Sequence, residues 1–349
     1  MTTKNSSQGQ VISASVKNGV EVVTLQNDSV RVSVVPEIGG RMIEFRSLKT
    51  GNQFLMEGRA DGIQHRGLSY GSEFSGLDAY GFDECFPTIE PSVYPSDLED
   101  DANMDFPDHG ELWTRPWRFE IKNDELVLNI HGVQTEYFFR KTIRLIENGI
   151  SIEYFLKNFR GTSFNYLWSA HPLLNVDPGD QIILPKDISE VLINWASDQR
   201  LGKFGDLAPW PLFGNDGKLN YSIVQNTSVG KAVKCFSNIL ADGYAALYHA
   251  KSDESIVFKF DPREIPYIGI WLCYGGWPAA KNEKQLTVGL EPSKGRPDSL
   301  ESSILRNECS TIDAGGEERW SLNISIQEGR FHERRKLEKL TNGFSERHI

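Results

Sequence analysis

The sequence predicts an all-β protein, specifically a large antiparallel β-sandwich. Short runs rich in β-branched and aromatic residues recur along most of the chain, and they end in Asn, Gly, Pro or Lys, which are typical of turns. Stretches with the helical period of 3.6 residues do not separate these runs. Repeated hairpins are therefore favoured over alternating β–α units.

The first four predicted strands lie near the start of the chain and read VISASVK, VEVVTLQN, VRVSVVPE and RMIEFRS. The Gly39–Gly40 pair predicts a tight turn between the third and the fourth. A second group of strands fills Arg118–Asn158, where Asn123–Asp124 and Asn148–Gly149 predict hairpin turns. Further strands are predicted at Gln181–Leu184, Ala245–Tyr248, Ser255–Asp261, Ile268–Tyr274 and Trp320–Gln327.

Two irregular segments interrupt this pattern, Gly67–Pro107 and Trp195–Lys218, and long segments of this kind are often functional. No break in composition divides the chain. We therefore expect a flexible N-terminus over residues 1–10, one sandwich domain over 11–328, and a charged tail over 329–349.

Composition excludes several classes of protein. The 39% hydrophobic and 24% charged residues are ordinary for a folded soluble domain, and no apolar run approaches the ~20 residues of a membrane helix. The polar N-terminus MTTKNSSQGQ lacks a secretory signal, which predicts a cytoplasmic protein. A net charge of −11 disfavours nucleic-acid binding, and four scattered cysteines argue against a disulfide framework or a zinc ribbon. We expect no metal and no cofactor.

The acidic run over residues 97–105 raises the question of calcium, because hard cations prefer oxygen ligands. It lacks the spacing of an EF-hand, so a solvated loop is the favoured interpretation. Exposed sheet edges would permit a homodimer, although no segment demands one.

Four stretches combine rigid turn residues with titratable side chains: GLDAYGFDECFPTIEP, DHGELWTRPW, YLWSAHPLLN and VGLEPSKGRPDSL. His171 precedes Pro172, which predicts an imidazole held at a strand exit. Glu291 follows an apolar pair and precedes another proline, an environment that suits a general base. Each residue taken alone is better explained by a structural role.

Taken together, the four stretches resemble the aldose 1-epimerase family and its galactose mutarotase-like relatives. VPEIGGRMIEF is similar to the opening strand–Gly–strand element of that family, and GFDECFPTIEP to its substrate loop. DHGELW resembles the first His segment, WSAHPLLNVDPGDQIILP the His–Pro segment, and IGIWLCYGGWP with VGLEPSKGRPDSL the late Trp and Leu–Glu–Pro strands. The resemblance covers about residues 30 to 325 and implies the galactose mutarotase-like supersandwich.

The resemblance also implies a mechanism and its residues. A glutamate, here Glu291, would take the proton from the anomeric hydroxyl of a sugar while a histidine, here His171, protonates the ring oxygen. The ring opens, the C1–C2 bond rotates, and reclosure gives the other anomer. His109 would be the second histidine.

Five further residues are predicted to bind the sugar. Arg41 could hold a phosphate or carboxylate group, and Trp113, Trp168 and Trp271 could stack on the ring. Asp83 is a candidate, by position only, for the hydroxyl-binding aspartate of the family, as is Asp242. We expect about half of the tryptophans near the motifs to be core residues.

Two departures from the family leave the substrate and the reaction open. Leu173–Leu174–Asn175 replaces an aromatic–Asn pair after the His–Pro segment, and the hydroxyl-binding aspartate has no clear match. Mutarotation of an aldose or of a modified or acidic sugar is the favoured function. A lyase or epimerase acting on an acidic sugar, and a sugar-binding regulatory protein without turnover, are the alternatives.

Overall fold

Two large antiparallel sheets, of twelve and eight strands, form the framework of the described chain. The computed structural model describes residues 2–3, 9–58, 68–74, 78–95, 104–214, 219–279 and 284–332. The predicted antiparallel sandwich is confirmed. Within the described part of the chain, no helix is long and apolar enough to cross a membrane.

The twelve-stranded sheet supplies the surface on which the site is built. Its strands are β1 (Thr2–Thr3), β2 (Val11–Lys17), β3 (Val20–Gln26), β4 (Val30–Val35), β5 (Arg41–Ser47), β6 (Phe82–Cys85), β14 (Ser169–Leu174), β16 (Glu190–Ala196), β17 (Leu207–Pro209), β18 (Lys231–Ser237), β21 (Tyr267–Tyr274) and β22 (Leu286–Ser293). Their spatial order is β1-β2-β3-β4-β5-β6-β14-β22-β21-β18-β16-β17.

The eight-stranded sheet covers one face of the first. It contains β9 (Arg118–Lys122), β10 (Glu125–His131), β11 (Tyr137–Ile146), β12 (Gly149–Asn158), β15 (Gln181–Ile183), β19 (Tyr244–His249), β20 (Glu254–Lys259) and β24 (Glu317–Glu328). The small pairs β7 (Ser92–Val93) with β8 (Asp105–Phe106) and β13 (Phe164–Tyr166) with β23 (Ser310–Ile312), one helix α1 (Leu300–Arg306), and 3₁₀ turns at Gln199–Leu201 and Thr227–Val229 complete the described elements.

Local sequence explains these hairpins. Strand β11 alternates buried and partly buried side chains along its whole length, as a strand with one face on the core must. Asn123 and Asp124 both take left-handed backbone angles, with φ of 51° and 60°, which matches the twist of the flanking strands. This predicted turn is confirmed. The next turn is formed by Glu147–Asn148, one residue earlier than predicted, because Gly149 already belongs to β12.

The central strands of the twelve-stranded sheet are buried on both faces. Their sequences therefore lack the alternation of apolar and polar residues that marks a half-exposed strand. All six residues of β14 and seven of the eight residues of β22 are buried. Even-numbered positions such as Ala170 and Leu290 join the main apolar cluster, which contains side chains from both sheets. Odd-numbered positions of the same strands, including His171 and Glu291, point to the opposite face, where loops cover them.

Candidate active site

A cavity of about 250 Å³ lies on the loop-covered face of the twelve-stranded sheet. Its size is just below the roughly 300 Å³ at which pockets for drug-sized ligands begin, which fits a monosaccharide. Two neighbouring rows of residues run beneath it, crossing the strands at right angles. The strand register places Arg41, Asp83, His171, Glu291, Gly269 and Phe236 in the first, the histidine–glutamate row. Leu173, Gly289, Trp271, Lys234 and Trp195 form the second, the tryptophan row.

His171 is supported from behind by a buried ion pair. Arg41 Nη2 donates to Asp83 Oδ2 at 2.7 Å, and Asp83 Oδ1 lies 2.9 Å from His171 Nδ1. Burial alone would raise the pKa of Asp83, but the Arg41 guanidinium and the bond to His171 lower this pKa to about 2. An ionised Asp83 accepts the Nδ1 proton of His171, so Nε2 is the nitrogen left for chemistry in the cavity.

Glu291 faces the same cavity with one oxygen held and the other free. Its side chain is fully buried, and Lys234 Nζ donates to Oε2. Among the described residues Oε1 has no hydrogen-bond partner. Burial lowers the pKa of Lys234, but Asp298 and Glu291 outweigh burial and raise this pKa above its ordinary value. The ammonium group therefore stays charged and holds Oε2 of Glu291 in place.

Two glycines provide the space that the Glu291 carboxylate occupies. A Cβ at Gly289 would lie 2.7 Å from Glu291 Oε1, and a Cβ at Gly269 would lie 3.1 Å from Oε2. Neither glycine has a positive φ, so space rather than backbone conformation explains them. Gly269 stands directly opposite Glu291 on β21. Any side chain at either position would displace the carboxylate.

His109 reaches the cavity from the loop that the DHGELW motif forms. Gly110 has φ of 74°, and a Cβ there would lie 2.0 Å from the Phe86 carbonyl oxygen, so only glycine fits. His109 Nδ1 lies 2.8 Å from Asp108 Oδ1, and the His109 ring stacks on Phe74 with centroids 4.1 Å apart. The rings of His109 and His171 are 4.9 Å apart. Thus two carboxylate-backed histidines meet at one end of the cavity.

Three carboxylates line the cavity besides Glu291, and we call Glu90, Asp108 and Asp298 the acidic wall. The Asp298 carbonyl oxygen accepts the backbone N–H of Glu90 at 3.1 Å, which fastens two parts of the wall together. Asn194 Nδ2 donates to Asp298 Oδ2 at 2.8 Å. Burial raises the pKa of Glu90 to about 7, with further contributions from the charges of Asp298 and Asp108. Burial also raises the pKa of Asp298, although Lys234 opposes the shift.

The aromatic side of the cavity consists of Trp271 with Trp195 and Trp277. The Trp271 ring lies 5.8 Å from that of Trp195 and 5.9 Å from that of Trp277. Trp195 is 42% exposed, which is unusual for so large an apolar ring. The apolar faces of a sugar ring stack on such surfaces. The structure therefore places the predicted Trp271 at the cavity.

Trp168 and Trp113, also predicted to bind the sugar, do not line the cavity. Trp168 is fully buried and packs against Tyr154 and Trp320. It lies three residues before His171, and this odd spacing along an extended chain turns it to the core face. Trp113 is 1% exposed and donates its indole N–H to the Asp108 carbonyl oxygen, so it supports the His109 loop instead. Four tryptophans lie near the motifs: Trp113, Trp168, Trp271 and Trp277. The first two are buried and the last two are only partly buried, which agrees with the expectation that about half are core residues.

Arg41 and Asp83 are likewise one step removed from any ligand. Arg41 is 1% exposed, and its guanidinium is bound by Asp83 and by the Asp78 carbonyl oxygen. Both carboxylate oxygens of Asp83 are bonded, one to Arg41 and the other to His171. Both residues orient His171 rather than line the cavity, because they occupy the outer positions of the histidine–glutamate row. Asp242 is exposed and does not line the cavity.

One set of metal-ligand types occurs within the site. Cys85, His109 and His171 each offer one ligand atom, and these atoms lie within 4.8 Å of one another. Burial raises the pKa of the Cys85 thiol well above its ordinary value, and the Asp83 charge adds to the shift. A metal binds the thiolate, which this environment disfavours. The trio is therefore a poor donor set despite its composition.

Sequence reasoning missed Lys234, Glu90, Asp298 and Trp195. Glu90 and Asp298 stand inside the quoted motifs GFDECFPTIEP and VGLEPSKGRPDSL, so they were available as titratable neighbours of the selected residues. Lys234 carries a different signal, since a lysine in the middle of the apolar strand KAVKCFS requires a buried partner. The sequence predicts an irregular segment from Trp195 onward, whereas Trp195 lies within β16.

Parts of two predictions fall outside the described residues. Of the acidic run 97–105, only Met104 and Asp105 are described, and Asp105 begins β8. The predicted charged tail is described only as far as residue 332.

Comparisons with known proteins place the fold. No family model and no curated protein matches the sequence. Among solved structures, a proposed aldose 1-epimerase from Klebsiella pneumoniae is 13% identical, with 93% of this chain and 85% of that chain covered and a TM-score of 0.67. A galactose mutarotase-like protein from Clostridium acetobutylicum is 14% identical, with 92% and 99% covered and a TM-score of 0.64. A galactose mutarotase related enzyme from Lactobacillus acidophilus is 13% identical, with 89% and 100% covered and a TM-score of 0.60. The chain has the galactose mutarotase-like fold.

Proposed function

We propose that the protein is a mutarotase that interconverts the anomers of an aldose. The observation that carries the proposal is the pairing of His171 with Glu291 on adjacent strands at one cavity, each backed by a partner of opposite charge. An acid and a base facing one small ligand are what ring opening requires. The structural neighbours that are called mutarotase-like are in keeping with this reaction.

The proposed ring opening moves two protons. Glu291 Oε1 takes the proton of the anomeric hydroxyl, and the electron pair left on that oxygen forms the carbonyl double bond. The bond between C1 and the ring oxygen breaks, and the ring oxygen takes the Nε2 proton of His171. After rotation about C1–C2 the two transfers reverse, so the enzyme returns to its starting state without a net change in protons.

The surrounding charges suit these roles. Lys234 donates to Oε2 of Glu291, and this leaves Oε1 to act as the base. Asp83 binds Nδ1 of His171 and so directs Nε2 toward the sugar, and Arg41 keeps Asp83 ionised. His109 lies beside His171, where it can hydrogen-bond a sugar hydroxyl.

A lyase acting on an acidic sugar receives less support. Such an enzyme needs a cation to neutralise the substrate carboxylate, and Arg41 was the candidate. Its guanidinium is enclosed by Asp83 and Asp78, while Lys234 is held by Glu291 and Asp298. Among the described residues of the cavity, no other Lys or Arg remains.

Saturation-transfer NMR of anomeric exchange across a panel of aldoses tests the proposal. Wild type should accelerate exchange of at least one aldose, and His171→Gln and Glu291→Gln should each slow it by about 10²- to 10⁴-fold. Glu57→Gln is the matched control, because Glu57 is exposed and lies outside the cavity. Sugar binding without acceleration of exchange would instead favour the regulatory protein considered from the sequence.

A further inference from the structure

The balance of charge in the cavity carries information about the substrate. Four carboxylates line it, those of Glu291 and of the acidic wall, against one ammonium group, that of Lys234, and two imidazoles. Lys234 contacts Glu291 and lies 3.6 Å from Asp298, so its single charge is shared by two carboxylates. Carboxyl groups therefore outnumber the ammonium and imidazole groups of the cavity.

The individual partners in the acidic wall locate this excess. Asp108 is bound by His109 and by the Phe74 backbone N–H at 2.9 Å. Within the described chain, Glu90 makes no side-chain hydrogen bond or ion pair, although it lines the cavity. Asp298 is 8% exposed, and its Oδ1 is buried without a hydrogen-bond partner, since Lys234 Nζ lies beyond hydrogen-bond range. Among the described residues, Glu90 is thus the carboxyl group of the wall without such a partner, and Asp298 has only a share of the Lys234 charge.

The raised pKa of Glu90, about 7, is a second expression of the same excess. Burial is the largest cause of this raised pKa, the charges of Asp298 and Asp108 add to it, and the charge of Lys234 only partly opposes it. A cation placed between Glu90 and Asp298 would supply a counter-charge. Because the backbone bonds between Ile89, Glu90 and Asp298 fix the wall, the two carboxylates would not need to rearrange first.

We propose that the cavity selects an amino sugar, a hexosamine whose ammonium group lies against Glu90 and Asp298 while its ring stacks on Trp271. The reaction expected of that sugar rests on the proposed mutarotase function, but the binding preference does not. Asp298 connects through Lys234 to Glu291, so the ammonium site is next to the carboxylate that would meet the anomeric hydroxyl. An anionic sugar would meet the same carboxylates, and repulsion would exclude it.

Calorimetric titration with closely related hexoses that differ in charge tests the preference for an amino sugar. The probes are glucosamine and galactosamine, the parent glucose and galactose, their neutral N-acetyl derivatives, and glucuronic acid. One hexosamine should bind at least about tenfold more tightly than its parent hexose and its N-acetyl derivative, and glucuronic acid should bind more weakly than glucose.

Variants of the wall identify the source of the preference. Glu90→Gln is decisive because Glu90 is only partly buried, so its replacement should leave the melting temperature close to that of wild type. It should reduce the ratio of hexosamine to hexose affinity to about threefold or less. Asp298→Asn should act in the same direction. Glu57→Gln, which removes one exposed charge outside the cavity, should keep the full ratio.

Three outcomes would overturn the inference: equal affinity for the hexosamine and its parent hexose, tighter binding of glucuronic acid, or a full preference in the Glu90→Gln variant. Failure of the reaction is distinguishable from these outcomes. If no sugar shows accelerated anomeric exchange but a hexosamine binds with the predicted ratio, the mutarotase proposal fails and the amino-sugar preference stands.

Discussion

His171 and Glu291 occupy facing positions on β14 and β22. The register that pairs Ser169 with Ser293 and Leu173 with Gly289 brings them opposite one another. Cross-strand neighbours on one face of a sheet have Cβ atoms roughly 5 Å apart. The two groups proposed to move protons are therefore positioned by strand pairing, the most rigid element available.

Replacement of Lys234 by Met should weaken Glu291 as a base. Without the ammonium group the buried carboxylates of Glu291 and Asp298 lose their counter-charge, and the pKa of Asp298, which Lys234 lowers, should rise. Activity at neutral pH should fall at least about tenfold, with the acid limb of the rate–pH profile displaced to higher pH. The profile of kcat against pH measures this displacement, and Lys234→Arg should restore part of it. A uniform loss of rate at all pH values would contradict the proposed role.

Replacement of Gly289 by Ala should displace the Glu291 carboxylate. The added methyl group would lie 2.7 Å from Oε1, closer than real Cβ contacts come, and in a tight contact of 3.1 Å with the Cβ of Trp271. The value of kcat should fall about tenfold or more, because misplacement of a catalytic group by about 1 Å can cost 10²-fold. Gly161→Ala is the control, since nothing lies within 4 Å of a Cβ there. Steady-state kinetics of both variants should distinguish displacement of the Glu291 carboxylate from the general effect of replacing a glycine by alanine.

The stability of the protein should depend on pH through Asp83. Its pKa is about 2 in the folded protein, below the ordinary value of 3.8. The ionised group therefore stabilises the folded state fully above about pH 4, and this contribution of about 2 kcal/mol disappears as the pH falls through about 2. Denaturant unfolding of wild type and of Asp83→Asn at pH 7 and pH 2 measures the effect.

The difference in unfolding free energy between these two proteins should be several kcal/mol at pH 7, because the variant leaves Arg41 buried without its counter-charge. It should narrow by about 2 kcal/mol at pH 2. A difference that does not change with pH would mean that folding does not lower the pKa of Asp83.

Two tryptophan substitutions should affect different properties. Trp271→Ala removes the aromatic face of the cavity and should raise KM for the sugar about fivefold, equivalent to about 1 kcal/mol. Trp168→Phe leaves the cavity intact but opens a gap beside Tyr154 and Trp320, so it should lower the melting temperature with KM unchanged. Kinetics and thermal unfolding of both variants test this assignment. A raised KM in Trp168→Phe would place that residue at the ligand after all.

The exposed hairpins were predictable from the sequence, and the central strands were not. In strands such as β11, buried and partly buried residues alternate because one face of the strand is directed toward solvent. Strands β14 and β22 are buried on both faces, so their sequences show no such alternation. His171 was therefore expected at a strand exit but lies in the middle of β14, and Pro172 is accommodated within the strand. Helix α1 was not predicted, although Ser299 caps it by accepting the Ser302 N–H.

The site was predictable where a residue belongs to a distinctive motif and unpredictable where pairing between distant strands creates it. His171, Glu291 and His109 were found in motifs, and the structure brings them to one cavity. Lys234 is separated from Glu291 by 57 positions in the sequence, so only the register of β18, β21 and β22 reveals their contact. The same register explains why Arg41 and Asp83 orient a histidine rather than bind the ligand directly.

The arrangement of the histidine–glutamate row on six adjacent strands has a consequence for engineering. An insertion or deletion of one residue within β6, β14 or β22 would turn every following side chain of that strand to the opposite face and dismantle the proton-transfer pair. The loops that carry Glu90 and His109 are free of this restriction. New substrate specificities should therefore be sought by replacing these loops while the sheet is left unchanged. Sugar recognition would then change, and the proton-transfer pair would be kept.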